Sequence, residues 1–293
     1  MRKPLDFLLI GAQKAGTTTL HGYLARYHGV FVPAIKENDY FLREELYRGG
    51  ESYLARFFDE APLDAVWGAA QVQLMYFPEC VARIREYNPR IKVIAVLRDP
   101  VRRAYSAYWF ARQRGTETCA TFEEALAREA DRAKGTFQER AELTYLAHGH
   151  YADQLRAYYA AFGADGVRVV LTEELGREPV RLMRDLAGWL GLRADPAWQV
   201  PRGRMNESGM PRIRWLTRFL VSERVKVRVR AVTGAGLRLW VRRRLLLPLL
   251  ARNTVPFRYP PMLAETERRL AGYYAGHNAA LRQLTGRDLP EWL

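Results

Sequence analysis

Apolar runs of strand length alternating with helical stretches predict an α/β fold: a central parallel sheet flanked by helices, with a basic helical insertion near residues 200–255. Three observations carry this expectation. Residues 5–10, Ile91–Leu97 and Val167–Leu171 are short and almost continuously apolar, as strands buried on both faces are. The first of them ends in a glycine loop, and a helical pattern starts at once behind it. Gly163 and Gly191 stand where helix C-terminal glycines belong.

The remaining elements follow in order. A helix is expected from Thr17 to Tyr27, then short strands at Val30–Val32 and Val66–Ala69. Pro78–Tyr87 reads as a helix leading into the strand at Ile91–Leu97. Asp99 is a good N-cap and Pro100 suits the first helical position, so a helix should leave that strand directly. Phe122–Arg140, Tyr151–Phe162 and Pro179–Leu190 have the spacing of long helices. Leu263–Leu284 reads as a final helix that packs back on the core.

The length of 293 residues suits one large domain or two small ones; a single domain over 1–293 is expected, with 200–255 as an insertion or lid. A hydrophobic content of 48% excludes global disorder. No signal-peptide pattern precedes the first strand. The longest apolar run of the basic part, Leu245–Ala251, contains Pro248, whereas a membrane span needs about 20 apolar residues. These features predict a cytoplasmic protein with Cys80 and Cys119 reduced. Residues 212–252 hold twelve Lys or Arg against one acid, Glu223, and so carry +11 of the net charge of +14. With Trp215, Phe219 and Trp240, that segment suits a solvated helix face, a platform for an anionic or lipid-linked partner, or a peripheral membrane contact. Nucleic-acid binding is a further reading, but no recognised module accompanies the charge, so no specific nucleic acid is expected.

The chemistry concentrates in two segments. The loop Gly11-Ala12-Gln13-Lys14-Ala15-Gly16-Thr17-Thr18-Thr19 joins glycines to a helix N-terminus, which builds a cradle of backbone N–H donors for an anion. Its Gly11-x4-Gly16 spacing is that of an ATP-binding phosphate loop, but Thr17 stands where that loop requires Lys, and Lys14 sits inside the loop instead. A P-loop-like fold that grips a phosphate-like group follows; a small-molecule kinase is the weaker alternative, and a basic binding module without activity the third. The second segment is Arg98-Asp99-Pro100-Val101-Arg102-Arg103-Ala104-Tyr105-Ser106. Arg98 leaves the carboxyl end of a strand, where open α/β sheets bind ligands, and Ser106 lies two turns into the next helix. Together they suit a second phosphate. No metal is implied by the spacing of His, Cys and carboxylates.

Two anion sites at the ends of two strong strands suit a nucleotide with phosphates at both ends of its ribose. Here the sequence resembles the sulfotransferases that use 3′-phosphoadenosine 5′-phosphosulfate (PAPS) and release 3′-phosphoadenosine 5′-phosphate (PAP). Gln13-Lys14-Ala15-Gly16-Thr17-Thr18 is similar to the family's 5′-phosphosulfate loop, and Leu97-Arg98-Asp99-Pro100 with Arg103 and Ser106 to its 3′-phosphate motif. Lys36-Glu37-Asn38-Asp39-Tyr40-Phe41 looks like the segment that carries the catalytic glutamate in the heparan-sulfate branch, and the resemblance is to a bacterial type of that branch. Gly149-His150-Tyr151-Ala152-Asp153-Gln154-Leu155, Glu173-Glu174-Leu175 and Leu284-Thr285-Gly286-Arg287-Asp288-Leu289 also look like family landmarks. The resemblance covers about residues 5–198 and 260–293.

What the resemblance implies is transfer of a sulfuryl group to a hydroxyl, or less readily an amine, of a carbohydrate, secondary metabolite or lipid-linked acceptor. Glu37 would be the general base, with His21 and His28 as the alternatives. Lys14 would stabilise the leaving 5′-phosphate, helped by Gln13, Ala15, Gly16, Thr17, Thr18 and Thr19. Lys36, Gln71, Gln73 and Tyr151 would line the acceptor site. The chain departs from the branch at Ala70-Gln71-Val72-Gln73-Leu74, where relatives have a Ser/Thr-Pro pair. It also lacks their Lys-Gly-Arg loop and cysteine pair, reading Arg252-Asn253-Thr254-Val255-Pro256-Phe257-Arg258-Tyr259 instead. Arg252 and Arg258 are the candidates to cover the nucleotide in its place.

Overall fold

The computed structural model describes residues 2–201, 209–211, 244, 254–256, 258–289 and 292. Of the basic segment 212–252 it describes Arg244 alone, so the expected helical insertion and Arg252 lie outside the described residues. Five parallel strands make the central sheet: β1 (Phe7–Gly11), β2 (Val30–Phe31), β3 (Val66–Ala70), β4 (Lys92–Leu97) and β5 (Val167–Leu171). Their spatial order is β2-β3-β1-β4-β5. All of β1, and β4 from Val93 to Leu97, are buried, which is why these runs show no polar alternation. Gly68 of β3 lies opposite Phe7 of β1; a Cβ there would stand 2.0 Å from the Phe7 ring, so the sheet closes over that ring only with glycine. The chain leaves β1 towards β2 and β3, and leaves β4 towards β5 on the other side. The carboxyl ends of β1 and β4 therefore form the switch point where such sheets open a crevice.

Helices α1 (Thr17–Leu24), α2 (Glu44–Arg48), α3 (Ser52–Ala55) and α4 (Glu79–Tyr87) connect the first four strands. After β4 come α5 (Pro100–Arg114), α6 (Phe122–Ala127), α7 (Glu129–Ala133), α8 (Phe137–Glu142) and α9 (Tyr151–Gly166). Past β5 lie α10 (Thr172–Arg177), α11 (Pro179–Leu190) and α12 (Ala264–Thr285), and a separate antiparallel pair, β6 (Gly209–Pro211) with β7 (Thr254–Pro256). Gly191 ends α11 in the left-handed conformation expected there, at φ 85° and ψ 14°, whereas Gly163, at φ 71° and ψ 172°, breaks α9 inside its run to Gly166. Asp99 caps α5, its Oδ1 accepting from the Val101 and Arg102 amides at 2.7 and 3.1 Å. Two expectations need correction. The first helix stops at Leu24, not Tyr27. The long helix expected over Phe122–Arg140 is three short ones, because Thr121 and Thr136 each form a capping box with Glu124 and Glu139, which restarts the helix inside the run.

Contacts cluster into two compact units. One, Met1–Arg103 with Leu146–Asn206 and Arg268–Leu293, holds the whole sheet; the other is Ala104–Tyr145 with Glu207–Glu267. The second unit is organised around a buried ion pair. Arg132 donates to both oxygens of Glu117 at 2.8 Å, and the Tyr145 hydroxyl and Cys119 amide complete the carboxylate at 2.7 and 2.8 Å. The Glu117 side chain is fully buried. The pair's value lies in mutual satisfaction, since either charge alone would be stranded away from water. Cys80 and Cys119 are buried free thiols. Among the described residues, no helix is long and apolar enough to cross a membrane. Arg132→Met should strand the Glu117 carboxylate and destabilise the protein by about 3–5 kcal/mol, read from urea unfolding.

Candidate active site

The loop from Gly11 to Gly16 opens at the switch point. Gly16 is the N-cap of α1 at φ 98°, with no side-chain cap, and a Cβ there would press to 3.0 Å on Leu175. Glycine is thus required both by the left-handed turn and by the close approach. Two of the loop's carbonyls are taken up from the sheet side. Arg98 Nη1 donates to the Lys14 carbonyl at 3.2 Å, and the Thr172 hydroxyl lies 2.5 Å from the Ala15 carbonyl and 3.0 Å from that of Leu97. The Ala12 amide bonds to the Val96 carbonyl at 2.6 Å. An approaching anion therefore meets fewer repelling oxygens and the open amino end of a helix.

Three cations converge on this loop. Burial, then Arg98, then Lys36 push the Lys14 ammonium down from 10.5 to about 8. Lys36 also bonds to Glu37 Oε1, while Glu37 Oε2 accepts from the Val72 amide at 3.0 Å. A backbone bridge between Glu37 and Ala70 fixes this segment at the end of β3, so the carboxylate is placed by the sheet itself. His21 on α1 is half-buried, and burial with the Lys36 charge lowers its pKa from 6.5 to about 4. A proton taken by His21 would create a buried cation beside Lys36; one taken by Glu37 would discharge an anion.

A model of the sulfotransferase domain matches residues 4–207, which include both anion-binding segments and Glu37. The chain belongs to the sulfotransferase family. A sulfotransferase from Alicyclobacillus acidocaldarius shares its fold at TM-score 0.70 and 25% identity, over 99% of each chain. Bifunctional heparan sulfate N-deacetylase/N-sulfotransferase 4 of Mus musculus is 26% identical over 305 residues, covering 98% of this chain and 31% of that protein. The corresponding protein 3 of Homo sapiens is 25% identical, with 98% of this chain and 31% of that protein covered. This sulfotransferase thus spans less than a third of the length of those relatives. The family match speaks for the sulfotransferase reading over the kinase and pure binding-module alternatives.

Other expected site residues are distributed as follows. Ala15 and Thr17 are buried, Gln13 and Thr19 half-buried, and Thr18 exposed. Gln71 is buried and bridges two segments, its Nε2 donating to Asp39 at 2.7 Å and its Oε1 accepting from the Gln73 amide at 3.2 Å. Tyr151 was expected among the acceptor contacts but is only 1% exposed. Its hydroxyl donates to the Arg98 carbonyl at 2.9 Å, which makes it a support beneath Arg98. Ser106 is buried on α5 within the second unit, and the exposed Arg258 also belongs to that unit. His28 is exposed.

Sequence reasoning missed Thr172, whose hydroxyl ties the loop to β4; a single threonine after a strand carries no spacing signal. It quoted the Glu173-Glu174 and Arg287 landmarks without seeing that they pair. Arg287 bonds to Glu174 and donates to the Val169 carbonyl at 2.9 Å, closing α12's following loop onto β5.

The sign of the Lys14 effect gives a pH prediction. The folded protein releases this proton near pH 8 and the unfolded chain near 10.5, so the charged form opposes folding at pH 7. Lys14→Met should raise the stability of the ligand-free enzyme at pH 7 by about 1–2 kcal/mol while abolishing PAP binding. In the wild type, PAP affinity measured by calorimetry should fall as pH rises from 7 to 9, and this fall should vanish in Lys14→Arg.

Proposed function

We propose that this sulfotransferase moves a sulfuryl group from PAPS to a hydroxyl or amine of a carbohydrate acceptor, with Glu37 as general base and Lys14 stabilising the 5′-phosphate left behind. The observation that carries this reading is the convergence of Lys14, Lys36 and Arg98 beside a carboxylate fixed at the end of β3. The donor set fits a doubly anionic nucleotide. A buried ammonium crowded by two like charges and a helix amino end without a side-chain cap both gain from an anion. When bound, PAPS supplies the activated sulfuryl group and a phosphate leaving group.

The chain's own residues do the rest. Lys14 and the amides after Gly16 hold the 5′ end, and Arg98, braced by Tyr151, holds the 3′-phosphate. The Val72 amide orients Glu37 through Oε2, so Oε1 is the oxygen that receives the acceptor's proton. The Lys36 ammonium must leave Oε1 before a proton can be taken there. Positioning and fixed charge thus carry most of the work, as in phosphoryl transfer. The carbohydrate acceptor is supported by the names of the heparan sulfate relatives, and the exposure of Glu37 leaves room for a large one.

Metal-free calorimetry should show PAP binding at least tenfold tighter than ADP or ATP; a preference for ATP would overturn the assignment. Arg98→Ala should weaken PAP about 10–100-fold and narrow its advantage over nucleotides lacking the 3′-phosphate. Retained discrimination would remove Arg98 from that role. Glu37→Gln should cut the rate of labelled sulfuryl transfer to de-N-sulfated heparan oligosaccharides about 10²–10⁴-fold with PAP affinity unchanged. Full turnover in that variant would send the search for the base back to His21.

A further inference from the structure

We propose that His150, Asp153 and His277 form a binding site for one divalent first-row transition ion, with zinc the best match, where the start of α9 meets α12. One donor atom from each residue lies within 4.8 Å of the others. His150 immediately precedes α9, Asp153 falls in its first turn, and His277 lies on α12. The two imidazoles face each other at 4.0 Å and 8°, and His277 Nδ1 is 4.0 Å from Asp153 Oδ2. Two imidazoles with one carboxylate make the donor set of an ion that prefers nitrogen and keeps a position open for water.

A tetrahedral zinc with bonds of about 2.0–2.1 Å needs its ligand atoms about 3.3 Å apart. The remaining closure of about 1.5 Å, with the turn that takes the two ring planes out of their stack so that their in-plane lone pairs meet at one ion, falls on accessible side chains, Asp153 at 54% and His277 at 31% exposure. The surroundings already hold two of the ligands. The Tyr273 hydroxyl, one turn before His277 on α12, lies 2.8 Å from His150 Nε2. Arg156 donates to Asp153 Oδ1 at 2.6 Å and leaves Oδ2 turned to His277. Outer partners of this kind fix ring orientation and carboxylate geometry in metal sites. The Arg103 charge bears on His150, so Asp153 is needed to offset it, and moderate affinity is expected. None of the three residues takes part in the proposed transfer. An ion here would tie α12 to the start of α9, which carries the Tyr151 support of Arg98.

The test uses untagged, EDTA-treated full-length protein titrated with Zn²⁺ by calorimetry, with Co²⁺ absorbance as the spectroscopic probe. Wild type should bind one Zn²⁺ at micromolar concentrations, show cobalt d–d bands with a nitrogen-rich signature, and gain thermal stability on binding. His277→Ala and Asp153→Asn should each weaken zinc binding about 10–100-fold and lose the bands, while binding PAP as wild type does. Absence of saturable binding at millimolar zinc, or equal binding in wild type and both variants, would overturn the proposal. PAP binding, measured in the same samples, reports on the sulfotransferase reading separately.

Discussion

Mutual repulsion among three cations at the carboxyl ends of two neighbouring strands is the constraint on which the rest of the site depends. Lys14, Arg98 and Lys36 are held closer than their charges favour, and Lys14 shows the consequence in its lowered pKa. Only a rigid frame keeps such an arrangement. The buried strands β1 and β4 supply it, and Thr172 and Tyr151 fasten the loop and Arg98 to it through backbone carbonyls. Such unfavourable charge density is what an anion would relieve, a usual exchange between stability and function.

The parts of this arrangement that lie close in sequence were legible from it. The Gly11–Gly16 loop, the strand before it, and the Asp99-Pro100 cap are local patterns, each enforced by backbone conformation or a missing N–H. Glu37 was legible only through resemblance, because its position depends on a bridge to Ala70 that no spacing rule encodes. Tyr151 shows the opposite failure. It belongs to a recognisable motif, yet burial turns its hydroxyl to the Arg98 carbonyl and not to an acceptor. The helix expected over Phe122–Arg140 failed for a third reason: apolar period outweighed two threonine caps that each start a new helix.

Distance along the chain hid the rest. Glu174 with Arg287, Glu117 with Arg132, and the cluster of His150, Asp153 and His277 each join residues from separate elements. Such groups become visible only once the sheet has brought their helices together. Two of them satisfy buried or half-buried charge, and the third sets two stacked imidazoles beside a carboxylate.

The Lys36–Glu37 pair has an electrostatic meaning beyond geometry. With the ammonium on Oε1 and the Val72 amide on Oε2, both carboxylate oxygens carry a hydrogen bond. Lys36 is also the cation that the charge at Lys14 repels, so an anion that neutralises the loop draws it away from Oε1. An anion at the loop and the carboxylate of Glu37 thus compete for one ammonium, which couples the charge state of one half of the site to that of the other.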